Sequence, residues 1–299
     1  LKLKTKSQTD TQVVYVPLLV ATLMAISPWH IHLSRGYFES TLALLPLLAG
    51  SYFFLRSLRQ IKFIWLSSLA FALSLYTYFV PRMVLPFLFL MLFIFFRKQI
   101  LKNVRTYAVA FLLLVLLSAP LIKLSIFDQG NNRLHWFVNQ RLENARVEAE
   151  TELTTATGPL ALRRIFHNRY RSLLRAVATD YLEHFSVNFW YLYGDNSLRY
   201  FLGKMGMFYL VELPFFILGF LYLLKHHQKL ALLLMGYLLV APMPAAISGR
   251  PFAVRSLTIL PIPFIFVGAG ISTAIWYVRS LHKRLVVWFC LGIVLLFMV

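Results

Sequence analysis

MVLPFLFLMLFIFFRKQILKNVRTYAVAFLLLVLLSAPLI, Met83–Ile122, is the stretch that decides the fold. Two apolar runs, 83–96 and 106–122, flank a short connection carrying Arg97, Lys98, Lys102 and Arg105. Neither run alternates apolar with polar residues, so neither reads as a half-buried strand. A helix needs about 20 apolar residues to cross a bilayer, within a range of about 17–25. The first run is short for that, so it either tilts little or borrows residues before Arg82. A short connection this basic stays on the cytoplasmic side of the membrane.

Working outward, the pattern repeats. Further spans are read at roughly 12–28, 40–56, 62–80, 207–224, 230–247, 256–278 and, truncated, 285–299. The connections alternate in charge. Lys2/Lys4/Lys6, Arg56/Arg59/Lys62, Lys225/Lys229 and Arg279/Lys283/Arg284 join the 97–105 connection on one side. The short connections on the other side hold only Arg35, Arg82, Arg250 and Arg255. This asymmetry predicts a multi-pass protein of the plasma or inner membrane, with Leu1 on the cytoplasmic side and 29–39, 81–82, 123–206 and 248–255 outside. The expected fold class is all-α, polytopic, with about eight full spans, one truncated span and one extracytoplasmic helical insertion. Three units follow: 1–122 with five spans, 123–206 outside, and 207–299 with three spans plus the truncated one.

Composition agrees. Hydrophobic residues make up 59% of the 299, above the roughly 45–50% of soluble domains. A net charge of +19 would suggest nucleic acid in a soluble chain. Here half of the positive residues lie in the cytoplasmic connections, so topology accounts for the charge and no nucleic-acid partner is expected. The lone Cys290 sits in an apolar run, which leaves no disulfide framework and no cysteine metal site. No Walker loop, GxGxxG, HExxH or GxSxG occurs, so nucleotide-driven transport, dinucleotide chemistry, zinc proteolysis and esterase chemistry lack their usual signatures. Starting at Leu1 and stopping inside an apolar run, the chain reads as an excerpt of a longer protein.

Acidic chemistry is expected outside. Eight of the eleven acidic residues lie in 123–206: Asp128, Glu143, Glu148, Glu150, Glu152, Asp180, Glu183 and Asp195. Thr154–Pro159 separates a charged helical segment from a second one. On the second, Leu162, Phe166, Leu173 and Val177 share one face, and Arg164, Arg171 and Arg175 the other. That segment reads either as an interfacial helix among headgroups or as a helix packed on its own domain with a solvated basic face.

Three constellations could carry chemistry. The first is Pro28-Trp-His-Ile-His-Leu-Ser-Arg35 with Gly36, Tyr37, Phe38 and Glu39. Glu39 fits a base toward a hydroxyl. It equally fits a helix-start charge, with Arg35 as partner and Trp29 and Tyr37 as interfacial aromatics. His30 and His32 are a poor metal pair, because residues two apart on a helix diverge and no third ligand is evident; no metal is expected. The second is the outer set Arg82, Arg250 and Arg255, whose forked guanidinium groups suit phosphate or snorkel to headgroups. The third is Tyr181–Ser186 with His184, followed by Gly194-Asp-Asn-Ser-Leu-Arg199, whose Gly-Asp-Asn is turn chemistry first and a sugar or acceptor contact second. Glu212, the one acidic residue inside a span, is expected near its outer end, paired with an arginine or a backbone amide.

In chain order, Ile26-Ser-Pro-Trp-His-Ile-His-Leu-Ser-Arg35 with Glu39, Ser74-Leu-Tyr-Thr-Tyr78 with Arg82, Asp180–Ser186, Gly194–Arg199, Gly206–Pro214 and Pro244 to Pro261 resemble one group. It is the bacterial membrane glycosyltransferases related to dolichyl-phosphate-mannose protein mannosyltransferases, the GT-C superfamily of the glycosyltransferase family 39 type. The resemblance implies a cell-envelope enzyme that moves a sugar from a polyprenyl phosphate to a hydroxyl of a lipid, glycan or protein, usually with inversion. The donor is a substrate, and no cofactor is implied. Arg35, Arg82, Arg250 and Arg255 would hold the lipid phosphate. Glu39 would be the acidic residue in this chain, and His30, His184, Asp195 and Glu212 would be acceptor or sugar contacts. The family's principal acid would precede Leu1. Relatives often carry a His in the last outer loop, where this chain has Phe252-Ala253-Val254.

Two other classes bear on the same features. A transporter or flippase for lipid-linked sugars would favour internal repeats and ionisable groups deep within spans. A non-catalytic subunit would use its outer domain to bind a partner.

Overall fold

The computed structural model describes residues 5–127, 132–157, 159–195, 197, 199–200, 203, 205–281, 288, 290–293 and 295. Among these there is no strand; the elements are helices. Most of the run expected at 285–299 lies outside the described residues. The order is α1 (Thr5–Ile26), α2 (Pro28–Arg35), α3 (Glu39–Ser57), α4 (Phe63–Thr77), α5 (Val80–Lys102) and α6 (Val104–Phe127). Then come α7 (Asn132–Thr155), α8 (Leu160–Phe166), α9 (Arg169–Glu183), a π turn (Asn188–Leu192), α10 (Glu212–His226), α11 (Gln228–Val240), α12 (Met243–Ser248) and α13 (Pro261–Leu281).

Among the described residues, four helices are long and apolar enough to cross a membrane: Val80–Lys102, Val104–Leu121, Gln228–Ser248 and Pro261–Ser280. The bent pair Val16–Ile26 and Pro28–Arg35, turned by 55°, makes five if it is one span. A membrane protein is indicated, with fewer long spans than the apolar runs suggest. The run read at 207–224 is helical only from Glu212, because 205–211 leaves the helix to pack on the π turn, with Phe208 N–H donating to Trp190 O at 2.7 Å. The run read at 83–96 is instead the middle of α5, which starts at Val80 and passes a non-helical Phe96 (φ −119°, ψ 17°) into its basic end. Arg82 therefore lies in the first turn of α5, not in a connection.

Serines tie α4 into its neighbours. Ser67 Oγ donates to Gly50 O at 2.8 Å and Ser74 Oγ to Ala43 O at 3.1 Å, both on α3, while Ser68 Oγ reaches Ala110 O of α6 at 2.8 Å. Between apolar helices the hydrophobic effect gives little direction in lipid, so such bonds set which helices pair. The α10–α13 pair uses small residues instead. A Cβ at Gly219 would overlap Phe266 O, and one at Gly270 would overlap Phe215 O. Beside that crossing, Trp29, Trp190, Phe208, Phe216, Phe264 and Phe266 stack edge to face at centroid distances of 5.3–5.8 Å. Trp29, expected at an interface, is 1% exposed and belongs to this core.

The segment before the π turn is a hairpin. Glu148 and Glu152 of α7 take Arg175 of α9, Glu152 also takes His167, and Arg141 pairs with Asp180. The single basic helix expected after Pro159 is broken in two, because Asn168 Oδ1 accepts from the N–H groups of Tyr170 (3.1 Å) and Arg171 (3.0 Å) and so caps a new helix. Arg175 is thus an ion-pair partner, on a side chain that remains half exposed.

Candidate functional site

Three segments far apart in sequence converge on Ala253. Asp195 Oδ2 accepts its N–H at 2.7 Å, and Trp29 Nε1 donates to its carbonyl at 3.1 Å. Asp195 Oδ1 takes the N–H of Ser197 at 2.8 Å, the turn expected of Gly-Asp-Asn. The turn needs its glycine, since Gly194 has φ +67° and a Cβ would crowd Met205 O. Asp195 is 2% exposed. Burial pushes its carboxyl pKa up, while the two amides and nearby His32 pull it down. Asp195, read first as a turn residue and second as a sugar contact, clamps its own turn to the 249–256 loop, and Trp29 ties α2 to the same Ala253.

The clamp builds a cation–aromatic cluster. Arg199 lies over the rings of Phe38 (5.3 Å) and Tyr200 (5.8 Å), Phe38 meets Tyr200 at 5.1 Å, and Tyr200 meets Phe252 at 5.0 Å. Arg255 closes the row over Phe252 at 4.6 Å. Burial lowers the pKa of Arg255, opposed by Tyr78 and Tyr200; a guanidinium stays charged regardless. At the other end, Pro28, Ile31, His32, Arg35, Phe38 and Arg199 line a cavity of about 540 Å³. Among the described residues its wall holds two guanidinium groups and an imidazole and no carboxylate, a lining whose charge suits an anion. Tyr37, at φ 53°, turns the chain so that Phe38 faces this row.

A second cavity, of about 350 Å³, is an apolar crevice among α4, α5 and α6. Leu75, Leu85, Phe89, Phe111 and Leu114 line it, with Arg82 and Ser118 as its polar groups. Arg82 Nε donates to Leu75 O at 3.0 Å, which anchors the side chain and leaves its other donors for a ligand. The Ser118 hydroxyl is buried without a hydrogen-bond partner among the described residues. Tyr78, one turn before Arg82, is the residue whose field reaches Arg255, so crevice and cluster adjoin.

The expected phosphate set is thus divided. Arg35 joins Arg199, which sequence reading passed over, and Arg255 sits at the far end of the aromatic row. Arg82 serves the crevice, and Arg250 lies in a third cavity with Arg141 and Asp180. His32, not His30, faces the first cavity, as helical phase requires of residues two apart. Glu39 is exposed at the start of α3, beside Phe38, and makes no ion pair with Arg35 among the described residues.

Two other candidates are buried. His184 is 0% exposed, its Nδ1 bonded to Asp180 O at 2.6 Å, and burial drives its pKa from 6.5 to about 4. Glu212 opens α10 at 1% exposure, and neither carboxylate oxygen has the partner expected for it among the described residues. No three His, Cys, Asp or Glu side chains gather as metal ligands among the described residues. No family model, curated protein or solved structure matches the chain.

Proposed function

We propose that this chain is a membrane glycosyltransferase that takes its sugar from a polyprenyl phosphate and passes it to a hydroxyl acceptor on the extracytoplasmic face. In this reading the eight apolar runs all count toward the bundle, including the shorter helices. The observation that carries it is the row Arg199–Phe38–Tyr200–Phe252–Arg255, with Arg35 and His32 at one end and the Arg82 crevice adjoining the other. Guanidinium groups receive a lipid phosphate, an apolar crevice takes the first part of an isoprenoid, and aromatic faces border a sugar ring.

The chemistry follows from those groups. The acceptor oxygen attacks the anomeric carbon and its bond to the phosphate oxygen breaks. The electron pair leaves with the phosphate, whose added charge Arg35, Arg199 and Arg255 stabilise. The acceptor proton passes to a carboxylate, for which Glu39, exposed at the start of α3 beside Phe38, is the candidate in this chain.

The test is sugar transfer by the full-length protein in proteoliposomes, using polyprenyl-phosphate sugars and membrane acceptors. Arg35→Gln and Arg255→Gln should each lower turnover about tenfold or more. Unchanged turnover in both removes the site. A transporter for lipid-linked sugars is the second reading, favoured by the 55° break between α1 and α2 and by the buried Glu212. Donor movement across the bilayer without transfer would decide for it.

A further inference from the structure

We propose that the cavity between α7, α9 and the turn after α12 binds a hydroxyl-rich ligand bearing one carboxylate, in chemical class a uronic-acid-containing saccharide. The cavity holds about 470 Å³, and Gln140, Arg141, Asn144, Glu148, Asp180 and Arg250 supply its polar wall. That volume suits a small ligand, for which sites run about 300–1,000 Å³.

The charges in the wall select the ligand. Arg141 pairs with Asp180 and also donates to Ala246 O at 3.2 Å; the paired side chains are only 15% and 14% exposed. Glu148 is paired with Arg175 from the facing helix. Both wall carboxylates thus already have guanidinium partners, Asp180 one in the wall and Glu148 one behind it that is shared with Glu152. Arg250 is exposed and forms no ion pair among the described residues. The cavity therefore presents one guanidinium without an ion-pair partner among the described residues, which matches one carboxylate.

The remaining groups narrow the class. The side chains of Gln140 and Asn144 are exposed and make no hydrogen bond within the protein among the described residues. Each amide offers donors and an acceptor, which is what a hydroxyl needs on both sides. A phosphate dianion fits poorly, because it calls for more than one free cation and Arg250 is the one wall guanidinium without an ion-pair partner among the described residues. A lipid tail fits poorly too, since the apolar side chains in the wall are only Ala145 and Ala176. Preorganisation comes from Arg141, which is held against α9 and α12 at once, so binding costs little ordering of that side chain.

If the chain is a transferase, this ligand is its acceptor. That role rests on the transferase reading; the binding does not. The test measures binding of two disaccharides, one ending in glucuronate and its neutral counterpart ending in glucose, to the full chain in lipid nanodiscs without any donor. The acid should bind about tenfold or more tightly than the neutral sugar. Arg250→Gln should erase that preference, and Asn144→Ala should weaken both sugars. Equal affinity for the two, no binding of the acid, or a preference that survives Arg250→Gln would overturn the proposal. Selective binding with no transfer from any donor would instead count against the transferase reading and leave the site standing.

Discussion

Asp195 holds the backbone N–H of Ala253 at 2.7 Å across 58 residues of chain, and by doing so sets where Phe252 and Arg255 stand. The same carboxylate closes its own turn through Ser197 N–H at 2.8 Å. A buried acceptor that serves two amides is a structural joint between loops, and the cation–aromatic row depends on it.

Asp195→Ala orphans both amides, and each unsatisfied buried group costs about 1–3 kcal/mol. The purified protein should unfold at a lower temperature and transfer less sugar. Asp195→Asn keeps one accepting oxygen and should fall between. An Ala variant as stable as the parent would mean the loop is held by other contacts.

His184 predicts an acid-sensitive fold. Its folded pKa, about 4, lies below the ordinary 6.5 because burial disfavours the imidazolium. Below 6.5 the unfolded chain takes up a proton that the folded chain refuses. Stability from this residue is thus complete above pH 6.5 and is lost as pH falls toward 4, by an amount on the order of 3 kcal/mol. Unfolding in detergent between pH 4 and 8 should show that slope, and His184→Gln should flatten it.

The Arg141–Asp180 pair is nearly dry. Arg141→Met strands a carboxylate and should destabilise by about 3 kcal/mol, the lower end for a broken buried pair. Adding Asp180→Leu should recover most of the loss. Chemical denaturation of the single and double variants measures both; equal stability of parent and single variant would show the pair to be solvated.

Gly219 and Gly270 set the α10–α13 distance. Alanine at either position overlaps a carbonyl oxygen of the facing helix, so each should cost about 1–3 kcal/mol through forced separation. Thermal unfolding is the readout, with Gly268→Ala as a milder comparison because its Cβ would meet the end of the Val20 side chain.

On the proposed transferase reading, Arg199→Gln should lower kcat/KM for transfer about tenfold or more, because that reading gives its guanidinium a charge-assisted contact to the lipid phosphate. Arg199→Lys should restore part of that. It keeps the charge but not the planar stack on Phe38 and Tyr200. Full activity in Arg199→Gln would place the phosphate elsewhere.

What could be read from sequence follows the range of each interaction. The apolar runs, the break after Thr155 and the turn at Gly194 and Asp195 are local, and among the described residues the structure has a helix end at Thr155, that turn, and helices in the apolar runs, of which four are long enough to cross a membrane. Arg35 and Arg255 were legible as cations at helix ends. Arg199 was passed over because its neighbours, Gly194 to Ser197, advertise a turn and nothing more. Arg250 and Arg255 look like one motif, yet the four residues between them, pinned at Ala253, leave Arg250 in the third cavity and Arg255 over Phe252 in the aromatic row.

Apolar length and the distribution of lysine and arginine are sums over neighbouring residues, so the primary structure alone specified an all-helical, membrane-directed chain. Which groups meet was left to packing. Trp29 reaches Ala253 across 224 residues and Arg141 reaches Ala246 across 105, and contacts that long depend on how every helix between them is seated.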